Sequence, residues 1–305
     1  MAILVFGSLN MDLVVQSPRL PMPGETILGT HFDTIPGGKG ANQAVAVARQ
    51  QVATTLLGRV GADSFGHELQ HNLAVEGIDI SGVQIDAQVH TGVAAITVGA
   101  QGENHIVVVP GANGHVDTTD LENLRDLLPQ AQLLLMQFEI PLPIVTQAAE
   151  MAYTAGVRVI LDPAPAQAIE TEALYPYIDI MTPNQVEAAQ LVGFPVNTLE
   201  DAADAANCLR QRGVEIALIK LGEQGVICAT ASEIFNVPAF AVPVVDTVAA
   251  GDAFNGGLAV ALHDQKSLRE AVIWASATAA LSVTQAGAQP SMPPRSQIEA
   301  FLNQT

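Results

Sequence analysis

Positive charge is scarce in this chain of 305 residues: 12 Lys and Arg stand against 31 Asp and Glu, a formal net charge of −19. A field of that sign repels phosphodiester backbones, which excludes nucleic acid as a partner. Cysteine is nearly absent too. Cys208 and Cys228 form no CxxC pair, so a disulfide framework is excluded and both read as buried, reduced thiols. No apolar run approaches the roughly 18–20 residues that span a bilayer. Residues 1–6 are apolar but lack a basic leader, and they predict a strand in a cytoplasmic protein without membrane attachment. Charged residues make up only 14% and apolar residues 49%, too rich a mixture for a disordered chain.

The common phosphate-binding signatures are missing as well. There is no GxGxxG, no GxSxG and no P-loop, because the single Gly-Lys pair, Gly38-Lys39, has Asp33 where the first glycine belongs and Gly40 after it.

What is present is alternation. Largely apolar runs at 3–6, 133–138, 157–161, 178–181 and 216–221 read as strands buried on both faces. Helical patterns at 64–75, 119–128, 143–155, 199–212, 251–262 and 268–283 separate or follow them. Together they predict one α/β domain over residues 1–305, a doubly wound, mostly parallel sheet flanked by helices. Residues 25–34 and 91–110 read as β without helices, the second as a hairpin around 100–104. These inserts, spanning about 13–36 and 90–110, predict a small separate sheet over the main domain that serves as a lid.

His67-Glu68-Leu69-Gln70-His71 is a literal HExxH, which on a helix can grip zinc with Glu68 as base. The apolar stripe Phe65, Leu69 and Leu73 instead turns both histidines to solvent, and no third ligand follows at a metalloprotease spacing.

Two glycine-rich segments carry more. In Pro36-Gly-Gly-Lys-Gly-Ala-Asn-Gln-Ala44, three glycines around Lys39 let backbone approach a small ligand, and Asn42 offers a donor and an acceptor. An ordinary strand-to-helix turn is the plain alternative. In Val245-Asp-Thr-Val-Ala-Ala-Gly-Asp-Ala-Phe-Asn-Gly-Gly257 a strand end turns into a helix near Gly251. The N–H groups of 249–252, backed by the helix dipole, then make an anion hole. A carboxylate beside such a hole, Asp252, suits phosphoryl transfer, where a base takes a hydroxyl proton while the hole stabilises the moving charge. The alternative is that Asp252 merely caps the helix.

With these two segments, the chain resembles the PfkB family of carbohydrate kinases. Asn10-Met-Asp12, Glu139, Asp162-Pro-Ala-Pro-Ala166, Asn184-Gln-Val-Glu187, Lys220-Leu-Gly222 and Gly287-Ala-Gln-Pro-Ser291 follow in the family's order, and the resemblance covers essentially the whole chain. It implies a sugar pocket of Asn10, Asp12, Gly38, Lys39, Asn42 and Glu139, with Asp252 as base and Ala249, Ala250 and Gly251 as anion hole. Many relatives have glycine where Ala249 stands, and alanine is tolerated there provided its φ is negative. For ATP the resemblance implies Asn184, Lys220, Gly222, Gly225 and Gly251. Ser276 falls where a residue packing on adenine, often His, is expected. Glu187 would hold Mg²⁺ through water. A K⁺ site would use Asp246, Val248, Ser282, Gln285, Gly287 and Ser291, and the lid would pair with a second copy as a homodimer. Within that resemblance, Lys39 and the Ala-Ala-Gly-Asp run imply ATP-dependent phosphorylation of D-ribose at its 5-hydroxyl. A sibling enzyme such as a fructokinase, or a non-catalytic sugar-binding regulator, are the alternatives.

Overall fold

The structure, a computed structural model, describes residues 2–166 and 173–304. The chain runs β1 (Ala2–Phe6), β2 (Asn10–Gln16), β3 (His31–Gly37), α1 (Lys39–Ala48), β4 (Thr54–Gly61), α2 (Ser64–Val75), β5 (Asp79–Asp86), β6 (Gly92–Val98) and β7 (Asn104–Val109). It continues through α3 (Thr118–Leu127), β8 (Ala131–Gln137), α4 (Leu142–Thr154), β9 (Arg158–Asp162), β10 (Ile180–Met181), α5 (Gln185–Val192) and α6 (Leu199–Gln211). It ends with β11 (Ile216–Lys220), β12 (Val226–Ala229), β13 (Ile234–Val237), α7 (Ala250–His263), α8 (Leu268–Ser282) and α9 (Arg295–Leu302).

Among the described residues, nine strands form one sheet in the order β13-β12-β11-β10-β9-β8-β1-β4-β5. Pairing is parallel from β11 to β5, and β12 and β13 add an antiparallel edge. Strand residues point alternately to opposite faces, and here both faces are covered. Ile3 and Val5 of β1 join one apolar cluster with α1, α7 and α8, while Leu4 and Phe6 join the other with α3, α4 and α6. Leu133 and Leu135 against Leu134 and Met136 divide β8 in the same way. That double burial is why these strands read as unbroken apolar runs.

The lid is a second sheet, β3-β2-β6-β7. Its β2–β6 pairing is parallel and the outer two are antiparallel. The 91–110 hairpin stands as expected, but residues 25–30 lie outside β3. There Pro23-Gly24 turns the chain, the Glu25 N–H bonds to the Met22 carbonyl at 2.9 Å, and the Glu25 carboxylate is clamped by Arg19. A side chain and backbone tied locally in this way leave no ladder to extend. Residues 178–179 also fall outside β10, and Cys208 is half-buried rather than buried. Burial pushes the Cys228 thiol up to about 12, which makes it inert.

His67 and His71 lie exposed on α2, whose buried residues are Gly66, Leu69 and Leu73. No group of three His, Cys, Asp or Glu side chains stands together as a metal cage among the described residues. No described helix is long and apolar enough to cross a membrane.

Candidate active site

In a parallel sheet with helices on both faces, ligands gather beyond the carboxyl ends of the strands. Ser8 follows β1, Gln137 closes β8 with Glu139 just beyond, Asp162 closes β9, Asn184 follows β10 and Lys220 closes β11. These side chains converge from five neighbouring strands. Helices α1 and α7 bring their N-termini to the same place.

The start of α1 is held by that convergence. The Lys39 N–H donates to Glu139 Oε2 at 3.2 Å, Gly40 N–H to Ser8 Oγ at 3.3 Å and Ala41 N–H to the Ser8 carbonyl at 3.0 Å. The Ser8 hydroxyl in turn donates to Glu139. A carboxylate at a helix N-terminus is stabilised by the macrodipole. Gly38 permits the geometry: its φ is +89°, and a Cβ would stand 2.7 Å from the Asn10 nitrogen. Lys39 Nζ lies 3.7 Å from Asp162 Oδ2, and Lys220 Nζ lies 3.0 Å from Asp162 Oδ1. One buried carboxylate thus serves two cations.

Asp252, in the first turn of α7, is buried against α1. Asn42 Nδ2 donates to its Oδ2 and Gln43 Nε2 to its Oδ1, both at 3.0 Å. The close approach depends on Gly256, one turn further on, where a Cβ would stand only 2.5 Å from Ala46 Cβ. Burial raises the Asp252 pKa above the usual carboxylate range, and Lys39 opposes the rise. Burial likewise works against the Lys39 charge, but Asp252, Asp162, Glu139 and Glu187 together hold its pKa above the ordinary value. The mutual arrangement suits a base poised nearer neutrality than a free aspartate.

The expected anion hole needs one correction. Ala249 has φ +58° and ψ +14°, the left-handed region, not a negative φ. This left-handed residue is the N-cap, the last residue before α7 begins. The Ala250 N–H bonds back to Thr247 at 3.3 Å, whereas the Gly251 and Asp252 N–H groups take no partner among the described residues, as expected of a helix start open to a ligand. Lys220 Nζ lies 3.3 Å from where a Gly251 Cβ would stand, so a cation borders the same spot. A left-handed alanine costs about 1–2 kcal/mol, and glycine gives back about 0.4–1 kcal/mol through the unfolded chain. Ala249→Gly is therefore expected to stabilise the protein by about 0.5 kcal/mol or a little more, read from denaturant midpoints; destabilisation would show the turn unstrained.

Asp12 in β2 faces Glu139 and Asp252, and burial first, then those two charges, push its carboxyl up to about 7. Asn10 is buried, and its Oδ1 accepts from Asn113 Nδ2 at 2.8 Å, which pins the lid's root to the body. Asn42 Oδ1 is buried and has no hydrogen-bond partner among the described residues.

On the other flank, Asn184 caps α5 with Glu187 in a capping box, Asn184 N–H donating to Glu187 Oε2 at 2.7 Å. Burial raises the Glu187 pKa while Lys220 pulls it down. The Asn184 backbone bridges to Lys220, and Gly222 and Gly225 take φ of +57° and +91° in the turn that follows β11. Ser276 on α8 is buried with its hydroxyl unpartnered. Around the expected cation position, Asp246 Oδ1 accepts from Val248 N–H at 3.0 Å and Oδ2 from Gly287 N–H at 2.8 Å. Ser282 O accepts from Gln285 N–H at 3.2 Å, and the Ser291 hydroxyl is turned onto the Ala288 carbonyl at 2.8 Å. Arg49, at the C-terminal end of α1, staples this loop through the carbonyls of Gln289, Pro290 and Met292.

Ser8, Gln43, Gln137 and Asp162 carry much of this geometry, and sequence reasoning gave none of them a role. Asp162 stood in a recognised motif, but nothing in a one-dimensional pattern says that two lysines meet on it.

Fold and site together define a phosphotransferase, and comparison with known proteins agrees. Residues 2–295 match the pfkB family carbohydrate kinase description, and the chain belongs to that family. It is a sugar phosphotransferase. The ribokinase of Haemophilus influenzae is 41% identical over 298 residues, 98% of this chain and 97% of that one. An Arabidopsis thaliana ribokinase solved with ribose and ATP superposes with a TM-score of 0.91 at 36% identity, covering 99% of each chain. A deoxyribokinase of Salmonella typhimurium is 35% identical, covering 99% of each chain.

Proposed function

We propose that the chain transfers the γ-phosphoryl group of ATP to the 5-hydroxyl of D-ribose, giving ADP and D-ribose 5-phosphate. The observation that carries this is Asp252: a buried carboxylate beside two unpartnered N–H groups and a lysine. Asp252 accepts the proton of the attacking hydroxyl, the oxygen bonds to the γ-phosphorus, and the bond to the ADP oxygen breaks. The Gly251 and Asp252 N–H groups and Lys220 stabilise the equatorial charge. Asp12, Glu139, Lys39 and Asn42 match a ring of hydroxyls that both donate and accept. A coupled ADP-release assay over ribose, deoxyribose and fructose tests the assignment. Ribose should give the highest kcat/KM, because a missing hydroxyl leaves a buried partner unpaired at about 1–3 kcal/mol. A preference for deoxyribose or fructose would overturn the substrate and leave the mechanism.

Glu187 would hold Mg²⁺ through water, since both its oxygens already accept from Asn184 and keep lone pairs free. The ion, when bound, neutralises phosphate charge. Asp246 with the neighbouring carbonyls offers the all-oxygen set that K⁺ takes. Turnover should therefore be higher in K⁺ than in Tris buffer, mainly in kcat, and indifference would remove the site. Lid strand β7 is an edge strand exposed along its whole length, including Ile106, Val107, Val108 and Val109. A second copy pairing there gives a homodimer, testable by light scattering on Ile106→Glu.

The Asp12 carboxyl near pH 7 gives a separate test of sugar binding. Sugar hydroxyls donate to the ionised form, so binding should release a proton at pH 7, and affinity should fall as pH drops below that value. Calorimetry in buffers of different ionisation enthalpy reads the release, and Asp12→Asn should abolish it. Buffer-independent heats in the wild type would remove Asp12 from the pocket.

A further inference from the structure

Gln43 is fully buried between two carboxylates. Its Nε2 donates to Asp252 Oδ1 at 3.0 Å and to Asp162 Oδ2 at 3.2 Å, and its Oε1 accepts from Gln137 Nε2 at 2.7 Å. A primary amide has two N–H groups and one carbonyl, and here each has a partner. Gln137 occupies the carbonyl end and so fixes which end of the amide meets the carboxylates. We propose that Gln43, oriented by Gln137, is the positioning residue of the phosphoryl-transfer base, holding the Asp252 carboxylate at one rotation and tying it to Asp162. This rests on Asp252 being the base.

The physical need is plain. Asp162 and Asp252 are both buried carboxyl groups, and a neutral donor shared between them lets them be neighbours. Asp162 also holds Lys39 and Lys220, so the amide links the base to the cations on both flanks of the cleft. Without Gln43, Asp252 keeps Asn42 as its only side-chain donor among the described residues. The charged groups that act on Asp252 and its surroundings are Lys39 from α1, Asp162 from β9, Lys220 from β11, Asp12 from β2, Glu139 beyond β8 and Glu187 from α5. Of the amide donors, Asn42 and Gln43 both favour the ionised base.

Gln43→Met keeps the length and removes both donors. Its kcat is expected to fall about tenfold to a hundredfold, with KM for sugar and ATP nearly unchanged. The acid limb of the kcat–pH profile should move to higher pH, because the carboxylate has lost a donor. Gln137→Met frees the amide without removing a donor to either carboxylate, and should shift the limb in the same direction by less. It carries the test if Gln43→Met folds poorly. An unmoved acid limb in both variants, whatever their melting temperatures, would make Gln43 a structural filler and overturn the proposal. Asp252→Asn measured alongside separates the two ideas. If that variant turns over normally, the base assignment itself fails; if it is inactive while Gln43→Met titrates like the wild type, only the positioning role fails.

Discussion

Asp252→Asn is expected to lower kcat by about 10²–10⁴ while leaving the fold intact. The new amide would face the donors of Asn42 and Gln43, but Asn42 has its own unpartnered oxygen and can rotate to present it. Stability should not fall at neutral pH. A carboxylate whose pKa is raised in the folded state binds protons more tightly there than when unfolded, so its ionised form weakens the fold as pH climbs above the unfolded value. Replacing it with a neutral amide removes that penalty. The melting temperature should therefore hold or rise as turnover collapses, and that separation identifies a chemical role. Near-wild-type kcat would place the base elsewhere.

Lys39→Met should be nearly as damaging, for an electrostatic reason. Lys39 is the cation acted on by Asp252, Asp162, Glu139 and Glu187 together. Removing it leaves Asp252 higher in pKa and less available as the proposed base at neutral pH, and takes a positive group from the proposed site of phosphoryl transfer. A fall in kcat/KM of about 10²–10³ is expected, with the acid limb displaced to higher pH. The charge of Lys39 contributes stability at every pH below the unfolded lysine pKa, and its folded value lies higher still. Its loss should cost about 2 kcal/mol, a buried-pair value reduced for partial exposure. The cost should grow as pH rises and the carboxylates ionise. A pH-independent loss would show that packing, not charge, is what Lys39 supplies.

The proposed substrate discrimination follows from the same cluster. The proposed sugar contacts Asp12, Glu139, Lys39 and Asn42 come from β2, the end of β8 and α1, so that pocket would be complete only when lid and body meet. Lid strand β2 carries Asp12, and its root is held by Asn10 and Asn113. Motion of that sheet would move Asp12, a proposed sugar contact, with it.

By itself the sequence determined many of the elements and which faces those elements bury. Runs such as Leu133 to Met136 are apolar at every position because both faces of β8 are covered, and that pattern needs no partner to be read. Helix starts were legible for the same local reason: α2 begins after Asp63, whose carboxylate takes the Gly66 N–H at 2.8 Å. The two glycine-rich segments also announced themselves, since close backbone approach demands that residue. Edge and hairpin strands did not. The segments that became β5, β12 and β13 were not recognised, and in β5 only Gly82 and Val83 are buried, too few to set a period. The interior strand β4 and the helices α5 and α9 were not recognised either. Tertiary structure alone decided the rest. Gln43 and Asp252 are 209 positions apart, and they meet because Gly256 lets α7 press on α1. Asp162 lies under two lysines because β9 stands between β8 and β10 in the sheet order. Ala249 is left-handed at the start of α7, against the local preference of alanine, so the packed structure overrides that preference. Periodicity records which side of an element is buried, but which elements are neighbours, and at what rotation, is settled only when the sheet and its helices pack.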